Sequence, residues 1–192
     1  EAQLKTSDFI RFLPDKRLFI IHGILLDYLR SRFYYHQSKE YQNRIFRKAG
    51  LSCAAMEQYC LATKFFYKIR DFDAILSLPF TRRYLEAQRE DCEEALFVAI
   101  VQECPEEILS KHPATMLVFA HYALLNGQYG LYEKLRRLLR RLVQEKMDLT
   151  QEQVRRLAGE LVLLESLGEF NDLSKMREGY EAVSGLWGEL PD

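Results

Sequence analysis

The sequence predicts an all-α chain of antiparallel helix-hairpin repeats, preceded by one short β-hairpin. Three observations carry this. From Ile24 onward, apolar residues recur at three- and four-residue steps, the period of a helix with one buried face. Before it, FIRFL and LFII are short apolar runs rich in Phe and Ile, split by the turn residues of PDKR. Later, two glycine turns, NGQY at 126–129 and LGEF at 167–170, lie 41 residues apart, close to the period of two-helix solenoid repeats.

Each element follows from its local pattern. In the hairpin, Pro14 and Asp15 supply the turn. A helix begins at Ile24, with Leu25, Tyr28, Leu29 and Phe33 on one stripe. After HQSK, a second stripe runs through Tyr41, Ile45, Ala49 and Cys53, and a third carries Cys60, Thr63, Phe66 and Tyr67 and ends near Arg70. Asp71 caps a short helix, DFDAILSL, that Pro79 stops. EDCEEALFVAIVQEC has acidic residues in its first turn and closes at Pro105, and PEEILSKH forms one more short turn of helix.

Paired helices come next. Pro113 to Asn126 ends at Gly127, suited to the left-handed residue after a helix. Tyr129 to Lys146 has Tyr132, Leu135, Leu139 and Leu142 on its inner stripe. TQEQ at 150–153 is a capping box opening a third helix with Val154, Leu157, Leu161 and Leu164 inward, ended by Gly168. A fourth runs from about Asp172 to Val183. In the two glycine turns the aromatic two residues on can fold back onto the helix pair, and RDFD at 70–73 is a weaker third member without the glycine.

Composition narrows the function. Nearly half the residues are apolar, enough for a sizeable core, and the net charge of −1 predicts no polyanion partner. No apolar run approaches the roughly 20 residues of a membrane span, and the polar start EAQLKTSDF is no signal peptide. A cytoplasmic chain without a membrane partner is expected. It lacks an initiator Met and opens within the lead-in to a strand, so a piece of a longer protein is expected. Cys53, Cys60, Cys92 and Cys104 form no CxxC pair and stand away from histidines, so they read as buried reduced thiols, and no metal site is expected.

Catalytic patterns are missing. There is no GxxxxGK, GxGxxG, GxSxG or HExxH. Glu93–Glu94 and Glu106–Glu107 fit first helical turns better than an acid/base pair. His112 precedes a helix-starting proline, His121 reads as a packed histidine, and His36 lies in a polar connection. No enzyme activity is expected. Arg136, Arg137, Arg140 and Arg141 make one basic ridge opposite the leucine stripe. Without interleaved aromatics, and flanked by Glu133 and Glu145, it reads as a solvated face or a contact to an acidic partner rather than a nucleic-acid surface.

The order of these segments carries a family resemblance. FIRFLPDKRLFIIHGILLDYLRSRF resembles the end of the winged-helix part of the MalT-like, ATP-dependent LuxR-family transcriptional regulators. There a strand leads to H-x-L-L-x-x-F/Y-L, standing here as His22, Ile24, Leu25, Tyr28 and Leu29. YQNRIFRKAGLSCAAMEQYCLATKFFYKIRDFDAILSL resembles the family's continuation, and ILSKHPATMLVFAHYALLNGQYGLYEKLRRLLRRL its entry into a tetratricopeptide-like sensor domain.

The resemblance implies a winged-helix remnant at 1–36, a helical arm at 37–104, and the first repeats of a tetratricopeptide-like solenoid at 105–192. It implies a bacterial regulatory segment, coupling a small-molecule inducer to ATP/ADP state and self-association. The phosphate loop and DNA-reading domain of the family are absent from these residues, so nucleotide and DNA are engaged only through other domains of a full-length protein. His22 is the residue the resemblance assigns to sensing the ADP phosphates held by the protein's own nucleotide-binding domain. Packing at the hairpin–helix seam is the competing role. Phe119, Tyr122, Tyr129 and Tyr132 are the candidates for an inducer or partner groove, and serve equally as core. A free-standing helical-repeat adaptor that binds a peptide or protein is the alternative reading.

Overall fold

The computed structural model describes residues 9–16, 18–88, 92–145, 149–168 and 172–187. The chain is mostly helical, with a small two-stranded antiparallel sheet. It divides into two compact units, 1–48 and 49–192, with the division inside one helix.

In the first unit, β1 (Ile10–Leu13) and β2 (Leu18–Ile21) pair with Ile10 opposite Ile21 and Phe12 opposite Phe19. The Phe12 and Phe19 rings lie 4.8 Å apart, a cross-strand aromatic pair that holds this register. The Pro14–Lys16 turn is a single 3-10 turn. Helix α1 (Gly23–His36) follows, and α2 (Lys39–Ala55) starts where Ser38 Oγ accepts from the Tyr41 N–H at 3.2 Å. One polar side chain joins the two helices. Gln42, 3% exposed, donates its amide to the carbonyls of Phe33, Tyr34 and Gln37, each at 3.1 Å, satisfying groups at the end of α1. The Phe33 and Phe46 rings meet edge-on beside it. The stripe expected to be buried on α1 is largely open: Tyr28 is 57% and Leu29 45% exposed, while Leu25 and Phe33 are partly covered.

The second unit holds the core. Helices α3 (Tyr59–Lys68), α4 (Phe72–Leu76), α5 (Arg82–Ala87), α6 (Glu94–Glu103), α7 (Glu106–Ser110), α8 (Pro113–Leu125), α9 (Tyr129–Glu145) and α10 (Gln151–Gly168) contribute to one cluster, from Cys53 to Leu164. Helix α11 (Leu173–Trp187) packs along α10. At the centre, Phe80, Phe97 and Phe119 stack within 5.0–5.9 Å of one another. Helix α5, capped by Thr81 Oγ1, has no counterpart among the elements expected from sequence. The Thr150 capping box forms in both directions, Gln153 N–H to Thr150 Oγ1 at 3.2 Å and Thr150 N–H to Gln153 Oε1 at 2.8 Å.

Three turns share one geometry. Glu57 (φ 59°), Arg70 (φ 57°) and Gly127 (φ 71°) are left-handed, and the next N–H in each reaches back five residues: Gln58 to Cys53, Asp71 to Phe66, Gln128 to Ala123. This is the bond that closes a Schellman turn. Only Gly127 adopts the conformation without Cβ strain. RDFD is therefore a turn of the same kind as NGQY despite lacking glycine. The last two residues of LGEF lie outside the described residues.

Two of the four cysteines correct the sequence reading. Cys60 and Cys92 form a disulfide, their Cα atoms 5.1 Å apart. Their separation of 32 residues gives no local spacing signal; the first turn of α3 meets the chain just before α6. Cys53 and Cys104 are buried free thiols, as expected.

Candidate ligand groove

Helix α9 sets the geometry. In YGLYEKLRRLLRRLVQE the leucines and Tyr132 share a face and are buried, which leaves the arginines along the opposite side. The part of α9 that faces α10 and α11 lines an open groove of about 610 Å³. Tyr129, Tyr132, Arg136 and Arg140 come from α9, Val162 and Glu165 from α10, and Lys175 from α11. Gly179 of α11 lets the helices approach closely, because a Cβ there would fall on the Ser166 side chain of α10. Three cations, Arg136, Arg140 and Lys175, face three carboxylates, Glu133, Glu165 and Glu178, so the walls are charge-balanced.

The candidate aromatics separate into three environments. Phe119 is 2% exposed within the aromatic core and has no surface to offer a ligand. Tyr122 is half-buried, meets Phe97 at 5.5 Å, and lines a cleft between α5 and α8 of about 80 Å³ together with His121. Tyr129 and Tyr132 line the groove: Tyr129 is 65% exposed, whereas Tyr132 is 7% exposed. Burial pushes the Tyr132 hydroxyl above its ordinary pKa, so it stays a neutral hydrogen-bonding group. Of the four candidates for a groove, only Tyr129 and Tyr132 line one site together.

Most of the basic ridge is paired with carboxylates. Arg140 Nε donates to Glu165 at 2.6 Å, and Arg136 donates to Glu133 at 2.7 Å. Arg141 donates to Glu106 at 2.8 Å, and Arg137 donates to the Glu133 carbonyl at 3.2 Å. Hydrogen bonding to Glu165 raises the Arg140 pKa further. Three of the four guanidinium groups are thus held by carboxylates from α7, α9 and α10. Glu165 and Glu106, remote in sequence, were invisible as partners of the ridge.

His22, in the first unit, caps α1. Its Nδ1 accepts from the Ile24 N–H at 3.4 Å, its backbone N–H donates to the Phe9 carbonyl at 2.7 Å, and its exposed ring stands edge-on to Phe9. With Nδ1 occupied as acceptor, Nε2 is the nitrogen left to face outward.

Among the described residues no group of His, Cys, Asp or Glu is placed to hold a metal ion, and no helix is long and apolar enough to cross a membrane. No family model matches the chain, and no curated protein or solved structure matches it.

Proposed function

We propose that the chain is the regulatory segment of a bacterial MalT-like, LuxR-family, ATP-dependent transcription activator, itself neither catalytic nor DNA-reading. The observation that carries this reading is the order of elements: a hairpin that closes on a capping histidine, a helical arm, then packed helix pairs bearing a groove. The left-handed Gly127 turn between α8 and α9 supports a tetratricopeptide-like solenoid for 105–192, while the like turns at Glu57 and Arg70 fall in the arm. Inducer enters beside Tyr129 and Tyr132, where a neutral phenol and paired charges offer both donors and acceptors. In the resting state His22 donates from Nε2 to the phosphates of ADP on the nucleotide-binding domain, a charge-assisted bond lost when the domains rotate apart. Inducer shifts that equilibrium by binding the open state more tightly.

Nucleotide retention by the full-length protein tests this. His22→Ala removes both cap and phosphate donor, whereas His22→Asn keeps a cap acceptor. Both variants are expected to lose bound ADP several-fold faster than wild type and to show raised basal activity. Retention and basal activity unchanged in both would leave His22 a packing residue. The free-standing adaptor, favoured by Tyr129 standing 65% exposed on the groove rim, requires a peptide or protein ligand there and no nucleotide dependence.

A further inference from the structure

We propose that Cys60 and Cys92 are a reversible thiol–disulfide clasp that sets how firmly α6 is held against α3, and through α6 the position of α9. Three observations converge on the pair. The Cα separation of 5.1 Å suits a disulfide. Both residues are buried, yet Cys60 lines an open cleft of about 500 Å³ with Lys64, Tyr84 and Gln88, which is the side from which a small reagent approaches the pair. At the end of α3 nearest the clasp the other polar link to the α6 segment is the exposed pair Lys64–Glu93 at 2.8 Å, of modest strength, while the far end of α3 is joined to α6 by Tyr67 donating to Glu103 at 2.7 Å.

The remaining two cysteines, Cys53 and Cys104, are buried free thiols. Burial raises the Cys53 thiol above its ordinary pKa and takes Cys104 up to about 11, which lowers the thiolate fraction of each. Beyond the clasp, α6 connects directly to α9. Glu94 accepts from Gln128, the residue before α9, and the Val101 carbonyl accepts from Lys134 of α9 at 2.7 Å. Tying Cys92 to Cys60 immobilises the chain two residues before α6, and with it the helix on which α9 rests.

The chemistry is exchange with a low-molecular-weight disulfide, RSSR. The Cys60 thiolate attacks one sulfur, breaks the RS–SR bond and expels RS⁻. The Cys92 thiolate then attacks Cys60 Sγ in the mixed disulfide and expels the second RS⁻. Two protein thiols are oxidised, RSSR is reduced to two RSH, and the two thiol protons end on the leaving thiolates.

The 192-residue chain is equilibrated in glutathione buffers of varied reduced-to-oxidised ratio, alkylated and weighed by peptide mass spectrometry. Cys60 and Cys92 are expected to interconvert together within the range of ratios, with Cys53 and Cys104 unlabelled until the chain is unfolded. Amide exchange in α6 and the start of α9 should be at least threefold faster in the reduced form, and Cys60→Ser should show the faster rate under both conditions. A pair that stays disulfide at every ratio is a fixed staple, and a pair that stays dithiol is no clasp. Equal exchange in both forms removes the coupling. Each of these three results overturns the proposal.

Discussion

Arg140 of α9 donates to Glu165 of α10 at 2.6 Å, and Arg136 approaches the same carboxylate at 3.6 Å. One acidic residue thereby gathers two members of the basic ridge, so the ridge presents little uncompensated charge. Because the Arg140 side chain is 50% exposed, the pair contributes at most about 0.5–1 kcal/mol to stability. Glu165→Gln is expected to cost no more than that, yet to release the Arg140 guanidinium, while Arg136 keeps Glu133. Retention on a heparin column should rise for Glu165→Gln and be slight for wild type at about 0.15 M salt. Strong retention of the wild type would restore the nucleic-acid reading of the ridge.

Phe119 and Tyr129 should respond oppositely to truncation. Phe119→Ala opens a cavity among Phe80, Phe97 and its other core neighbours and should cost about 3–5 kcal/mol. Tyr129→Ala on the rim should change stability by less than about 0.5 kcal/mol. Urea unfolding checks both, and similar losses would contradict the placement of Tyr129 on a ligand-facing surface.

Glu57 is exposed and holds φ 59°, a conformation in which its Cβ is strained. Glu57→Gly removes the strain while adding freedom to the unfolded chain, for a net gain of about 0.5–1 kcal/mol. The melting temperature should rise by a few degrees. Arg70 shares the conformation, but its guanidinium pairs with Glu103 and lies over the Tyr67 ring, so Arg70→Gly should gain less or lose stability.

His121 gives the fold a pH dependence. It is 8% exposed and its Nδ1 is sealed without a hydrogen-bond partner. Burial first, then the Arg82 charge, lower its pKa, with Glu86 opposing them. The unfolded chain therefore binds this proton more readily than the folded one. The stability tied to neutral His121 is complete above the unfolded value of about 6.5 and is lost as pH falls from there through the folded value. Urea midpoints of the wild type should drop between about pH 7 and pH 5 more steeply than those of His121→Leu. Parallel slopes would show that His121 is not the group responsible.

The legible parts of the chain were those in which local chemistry and tertiary packing agree. The leucine stripe of α9, the Thr150 capping box, the Asp71 cap and the glycine turn at 127 all have causes within four residues. The hairpin was legible for the same reason. What stayed hidden depends on partners distant in sequence. Cys92 finds Cys60 across 32 residues, and Glu106 and Glu165 reach the ridge from other helices. Gln42 reads as one more polar residue until the end of α1 is placed against it. Phe119 and Tyr132 belong to the same aromatic vocabulary, and only packing sends one to the core and the other to the groove wall. Helix α5 is six residues long, too short for its period to stand out.

The reading frame on either side of this segment in its source gene tests the central claim most directly. A phosphate-binding loop well upstream of Glu1 and a helix-turn-helix downstream of Asp192 are predicted, in one uninterrupted frame. A start codon beside Glu1 and a stop beside Asp192 would contradict the regulator reading, remove the nucleotide role of His22, and leave the groove to a peptide or protein partner.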